Sequence, residues 1–238
     1  MRLHRATTLI ALGVVTVALT GCSATPDPEP AASVTSPVAE TPEPTPAATP
    51  EPTETVDPHP AQADLIISTS GLGPLTVGQP PAANPGAAMI EWDADNCLGE
   101  MWEGDGDPGR WVPSGYDADT NVYGQPATPF YVEADDAAVL RVDVMGSGPH
   151  TDSGVRVTSP LTDLQAAYPG LQGPYDNNGL SKVWWVQDER GSMVFETQTE
   201  EWLSPGVPEQ VILIRVLAPG IDPGWGAANS GNVAGACF

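Results

Sequence analysis

Residues 23–62 read SATPDPEPAASVTSPVAETPEPTPAATPEPTETVDPHPAQ, a run of Thr-Pro and Glu-Pro pairs with no Phe, Tyr or Trp and little aliphatic bulk beyond alanine. Such a segment cannot bury enough apolar surface to offset the entropy lost on ordering its backbone, so no core forms there. Proline holds chains of this composition near polyproline II at ~3.1 Å per residue, which gives about forty residues a reach of at most about 120 Å. Whatever folds must therefore come from residues 63–238. A chain of that length supports one sizeable core, burying about 70% of the surface its unfolded form exposes.

Ahead of the tract, Arg2 and Arg5 precede the apolar run Thr7 to Thr20, the charged and hydrophobic regions of an export signal. The run is too short to cross a bilayer, which takes about 20 apolar residues. It ends in Leu19-Thr20-Gly21-Cys22, which resembles the lipobox of bacterial lipoproteins. The resemblance implies a signal peptide over 1–21, a diacylglyceryl group on the Cys22 sulfur, and a lipidated, disordered linker over 22–62. The globular domain then occupies 63–238. The alternative is an ordinary secretory signal with a chance cysteine. Two acyl chains anchor stably where one is marginal, so the resemblance places the mature chain on the outer face of the cell membrane, tethered and not spanning. Cys97 and Cys237 then form an even pair in a compartment that permits oxidation, and a disulfide between them is expected. Two buried free thiols are the alternative.

The chain carries 31 acidic and 8 basic residues, a formal net charge of −23. That excludes the basic footprint of a nucleic-acid-binding protein and argues against adhesion to anionic headgroups. Cationic or neutral partners and metal ions remain.

Strand-like runs dominate the folded region: Leu65 to Ser68, Phe130 to Glu133, Ala138 to Met145, Lys182 to Gln187, Met193 to Thr197 and Val211 to Leu217. Turns at Asp135-Asp136 and at Asp188 to Gly191 predict two hairpins. Within AVLRVDVM, Val139, Arg141 and Asp143 alternate with Leu140, Val142 and Val144, which predicts one wet and one dry face. Thr158 to Tyr168 predicts a helix with Ser159 as cap, Pro160 at its first position, a stripe of Leu161, Leu164 and Tyr168, and Pro169-Gly170 as the stop. A weaker helix start lies at Asn84-Pro85. Each helical signal precedes strands, so the expected fold is α+β, two related helix-plus-antiparallel-sheet halves in one domain. GLGPLTVG at Gly71 to Gly78, GVRVTSPLTDLQAAYPGL from Gly154, and the near-terminal Cys237 together resemble a group of uncharacterised actinobacterial secreted lipoproteins. They are more remotely similar to the tandem helix-plus-sheet units of β-lactamase-inhibitor proteins and outer-membrane-assembly lipoproteins. That resemblance implies a protein partner.

No catalytic constellation is expected. The folded region holds one lysine, Lys182, and one histidine beyond the tether, His150, within a Gly/Pro-rich stretch that reads as a loop, and it has no Gly-x-Ser-x-Gly elbow. Asp117-x-Asp119-x-Asn121 has the opening spacing of a calcium loop, but Val122 stands at the turn glycine and Thr128 at the bidentate glutamate. The acidic residues around Cys97 (Asp93, Asp95, Glu100, Glu103, Asp105, Asp107) read as a solvated turn, with an irregular calcium site as the alternative. No zinc spacing and no cofactor motif is present. Seven tryptophans remain. Trp184 and Trp185, adjacent in a strand, face opposite ways and are the candidate binding surface, against the commoner use of tryptophan in packing. The function these features imply is a lipid-anchored extracytoplasmic binding module without catalysis. A protein partner is the first expectation, a wall-glycan or calcium-binding module the second and a secreted hydrolase the third.

Overall fold

Runs of β-branched and aromatic residues fit a pleated, buried surface, and they build the molecule. The computed structural model describes residues 57–98, 108–177, 179–198, 203, 205–223, 233–235 and 237. These belong to a compact unit spanning Pro52–Phe238. The signal segment, Cys22, the tether up to residue 56, and Trp102, Trp202 and Trp225 lie outside the described residues.

The main sheet has six antiparallel strands: β8 (Phe130–Ala134), β9 (Val139–Val144), β11 (Gln172–Asn177), β12 (Ser181–Asp188), β13 (Gly191–Gln198) and β14 (Gln210–Leu217). Their spatial order is β11-β12-β13-β14-β9-β8. The β8–β9 and β12–β13 hairpins turn at the two predicted places, and Asp135 closes the first by accepting the backbone N–H groups of Ala137 and Ala138. A smaller sheet joins β1 (Ile66–Ser68), β2 (Gly71–Leu72), β3 (Leu75–Thr76) and β10 (His150–Thr151) in the order β10-β1-β2-β3. Two further ribbons pair β4 (Ile90–Asp93) with β5 (Arg110–Pro113) and β6 (Asp119–Thr120) with β7 (Pro126–Ala127).

One face of the main sheet presents Phe130, Val142, Phe195 and Val216, and these join one buried cluster with Ile67, Leu72 and Leu75 of the small sheet. Helix α1 (Leu161–Ala167) seals that layer: Leu164 is fully buried, and the Tyr168 ring packs 5.4 Å from Phe195. Pro160 takes the cap position, while the Ser159 hydroxyl accepts a bond from the Arg156 N–H. The helix thus starts one residue later than the sequence suggests.

An α+β fold of two helix-plus-sheet halves is not what forms. Strand accounts for 40% of the structure and helix for 11%, with α1 the sole α-helix among the described residues. Two physical reasons stand behind the correction. The segment after Asn84 cannot wind up, because the Asn84 side chain is committed to the N–H and C=O of Thr76 and to the N–H of Gly86. Gly86 itself lies so close to the Leu75 backbone that a β-carbon would collide with it. What remains are single 3₁₀ turns at Pro81–Ala83 and Ala87–Met89. The strands assigned to separate halves also belong together: β14 pairs with β9, so one continuous sheet carries both sets.

The expected wet face of β9 is corrected as well. Asp143 and Arg215 face away from the main core yet have no exposed side-chain surface, and they pair at 2.6 Å. Val183, Val194 and Leu217 are buried on the same side. Both faces of the sheet are therefore covered in its middle.

Candidate functional site

The β4–β5 ribbon sets Trp92 opposite Trp111 and Asp93 opposite Arg110. Trp92 and Trp111 meet edge to face, ring centroids 5.7 Å apart, an arrangement favoured by the ring quadrupoles. Strand β5 packs beside the edge strand β8, which contributes Tyr131. Tyr116, just after β5, is held on three sides. It stacks on His59 at 4.4 Å, lies edge-on to Phe130 at 5.4 Å, and donates its hydroxyl to the Pro60 carbonyl at 3.1 Å. Burial raises the pKa of that hydroxyl, and the nearby Asp57 charge raises it further.

The C-terminal stretch closes the fourth side. The Ala234 N–H donates to Asp143 at 2.8 Å, and Cys237 is bonded to Cys97 across 140 residues. Gly235 has φ +66°, and a β-carbon there would stand 3.1 Å from the Val132 carbonyl, so glycine suits both the conformation and the close approach. Asn96 directs its amide at both disulfide sulfurs.

Between these elements lies a recess of about 330 Å³, walled by Trp111, Tyr116 and Tyr131 with Asp93, Asn96 and Thr128 as polar members. Its volume falls in the range of small-ligand sites, which are concave, largely apolar and equipped with a few polar groups. Asp93 is the one charged residue among the described residues of the lining. Two other hollows, one along Gln187 to Gly191 and Ala218 to Pro223 and one beside Thr69 and Arg190, are more open to solvent. At the second of these, the side-chain bond from Arg190 leads the interactions that lower the Asp188 pKa to about 2, and the Thr69 hydroxyl adds a bond at 2.8 Å.

The sequence-derived candidates are placed as follows. Trp184 and Trp185 stand on opposite faces of β12, both half-buried. Trp184 packs on the main core and donates its Nε1 to the Thr197 hydroxyl at 3.1 Å, while Trp185 packs with Val183, Val194 and Leu217. Neither lines the recess. Asp119 accepts the N–H groups of Thr120 and of the distant Gly148, and Asn121 those of Tyr123 and Gln125, so these oxygens are engaged in holding the local chain. Glu100, Glu103, Asp105 and Asp107 lie outside the described residues, among which no cluster of three or more His, Cys, Asp or Glu side chains is arranged to hold a metal ion. His150, expected in a loop, sits in β10, its backbone N–H bonded to the Leu65 carbonyl.

Three features were missed. The recess went unseen because its tryptophan ribbon is interrupted by residues 94–109, which hides the hairpin from a local pattern, although IEWD alternates apolar and polar residues as a strand does. The Asp143–Arg215 pair joins strands 72 residues apart. The third is Glu196 in β13, whose carboxyl is buried, pushed up to about 7 by loss of hydration and bonded by the Ser181 hydroxyl at 2.6 Å. Its second oxygen has no hydrogen-bond partner among the described residues.

No family model and no curated protein matches the chain. Among solved structures, the crystal structure of the uncharacterized protein yfeY from Escherichia coli is similar at 18% identity and a TM-score of 0.39, covering 64% of this chain and 99% of that one; a likeness at this level carries no argument about fold or function.

Proposed function

We propose that the chain is a lipid-anchored extracytoplasmic binding module, held to the membrane through Cys22, displayed on the Pro/Thr/Glu tether, and engaging its partner at the Trp111–Tyr116–Tyr131 recess. The observation that carries this reading is the combination of a braced aromatic frame with polar groups that no described residue engages. No hydrogen bond joins the Trp111 indole N–H, the Tyr131 hydroxyl or the Thr128 hydroxyl to any described residue. Polar atoms left free beside rigid rings are what a binding site needs to fix orientation.

The test uses the mature chain from Ser23 onward, without lipid, sedimented with isolated cell envelopes. Binding should saturate, and Trp111→Ala should weaken it at least tenfold in a chain that still unfolds cooperatively. Envelope binding indifferent to Trp111 would refute the assignment.

A further inference from the structure

Resting on the assignment of the recess as the binding site, we infer that its ligand is a neutral sugar chain, one pyranose ring seated in the recess and the next against Trp92. A pyranose presents two chemistries at once: a face of C–H groups that packs on the negative face of an aromatic ring, and a rim of hydroxyls that both donate and accept. The lining offers the complements of both. Trp111, Tyr116 and Tyr131 supply rings, the Trp111 indole supplies a donor, and the Tyr131 and Thr128 hydroxyls supply groups of either kind. Asp93 adds an acceptor. One of its oxygens already takes the Asp95 N–H at 3.0 Å, which fixes the carboxylate in place.

Charge narrows the ligand further. Among the described residues the lining contains a carboxylate and no cationic side chain, Arg110 standing outside it opposite Asp93, within a chain of formal net charge −23. An anionic polymer, such as a polyphosphate or an acidic polysaccharide, would enter against repulsion, with no arginine or lysine among the described lining residues to receive it. Size narrows it again. About 330 Å³ admits a sugar ring or two. Rigidity is consistent with the same ligand. Tyr116 is clamped by His59, Pro60 and Phe130, and the Cys97–Cys237 bond ties down the opposite wall, so a weakly binding neutral chain meets a surface already ordered for it. Trp92, 45% exposed and inclined at 66° to Trp111, extends the aromatic track beyond the recess.

The mature chain is titrated, by tryptophan fluorescence and calorimetry, with cellotetraose, tetra-N-acetylchitotetraose and, as an anionic control, tetragalacturonate. Envelope sedimentation is run in parallel on untreated, protease-treated and periodate-treated envelopes, periodate cleaving the vicinal diols of sugars. The expected result is saturable binding of a neutral tetramer, at least tenfold weaker binding by Trp111→Ala and a few-fold loss with Trp92→Ala. Tetragalacturonate should bind at least tenfold more weakly, and envelope binding should survive protease and be competed by the neutral tetramer that binds, falling after periodate where the bound chain has free 2,3-diols. Envelope binding that depends on Trp111 but is abolished by protease, untouched by periodate and not competed by either neutral tetramer would overturn the sugar assignment in favour of a protein partner while leaving the recess as the site. Tetragalacturonate binding as tightly as the neutral tetramers would also overturn it. Binding that ignores Trp111 altogether would overturn both.

Discussion

Asp143 and Arg215 meet in the sheet through two charge-assisted bonds of 2.6 and 2.7 Å, with neither side chain exposed. Asp143→Ala would leave the Arg215 charge without this partner in a low-dielectric setting, and would also release the Ala234 N–H. It should cost ~3–5 kcal/mol in chemical denaturation. The Glu133–Arg141 pair is the control: Glu133 is 47% exposed, so Glu133→Ala should cost under about 1 kcal/mol. Glu196 gives a pH-dependent outcome. Its folded pKa of about 7 stands above the ordinary 4.5, so the folded state holds its proton more tightly than the unfolded one. The contribution of this group to stability is therefore complete below pH 4.5 and declines as pH rises to about 7. Glu196→Gln should be nearly neutral at pH 4 and more stable than the native chain by about 3 kcal/mol at pH 8. A difference independent of pH would contradict the assigned environment. Period-2 alternation in β9 correctly separated Val142 from Asp143, but not that the Asp143 side is covered. The covering includes Ala234, 91 residues away, and no local pattern reports it.

Long runs of β-branched residues were legible as strands, and both hairpin turns with them, because burial and turn chemistry agree there. Helix α1 was legible from its stripe and its Pro-Gly stop. Its packing gives an internal comparison by thermal melts: Leu164→Ala should cost ~2–5 kcal/mol as a buried large-to-small change. Asp163→Ala, one position away and exposed, should cost under about 1 kcal/mol. Equal, mild effects would mean that α1 is not part of the core. Strand β1 was legible in Leu65 to Ser68, but the two-residue strands β2 and β3 and the stretch around Asn84 were not. Elements of two residues carry no period, and the side-chain bonds that hold Asn84 to Thr76 act across eight residues.

Across the whole molecule, the Cys97–Cys237 bond ties the far end of the chain to the β4 side of the recess. Closing a loop of 140 residues is worth roughly 5 kcal/mol in the chain-entropy account. Replacing both cysteines by serine should lower stability by several kcal/mol and weaken recess-dependent binding before it unfolds the sheet. At the other end, Cys22→Ala should release the protein from membranes or leave it unprocessed, as membrane fractionation would show; equal retention would remove the lipid anchor from the account. The central claim is where the partner sits, and amide hydrogen exchange on the mature chain, free and envelope-bound, tests it most directly. Binding at the recess should slow exchange at residues 90–93, 110–118 and 130–131 and at Ala234–Gly235, while α1 and the turn at Asp188 to Gly191 stay unchanged. Protection confined to Gln187 to Gly191 and Ala218 to Pro223, with residues 110–118 exchanging as in the free chain, would contradict it.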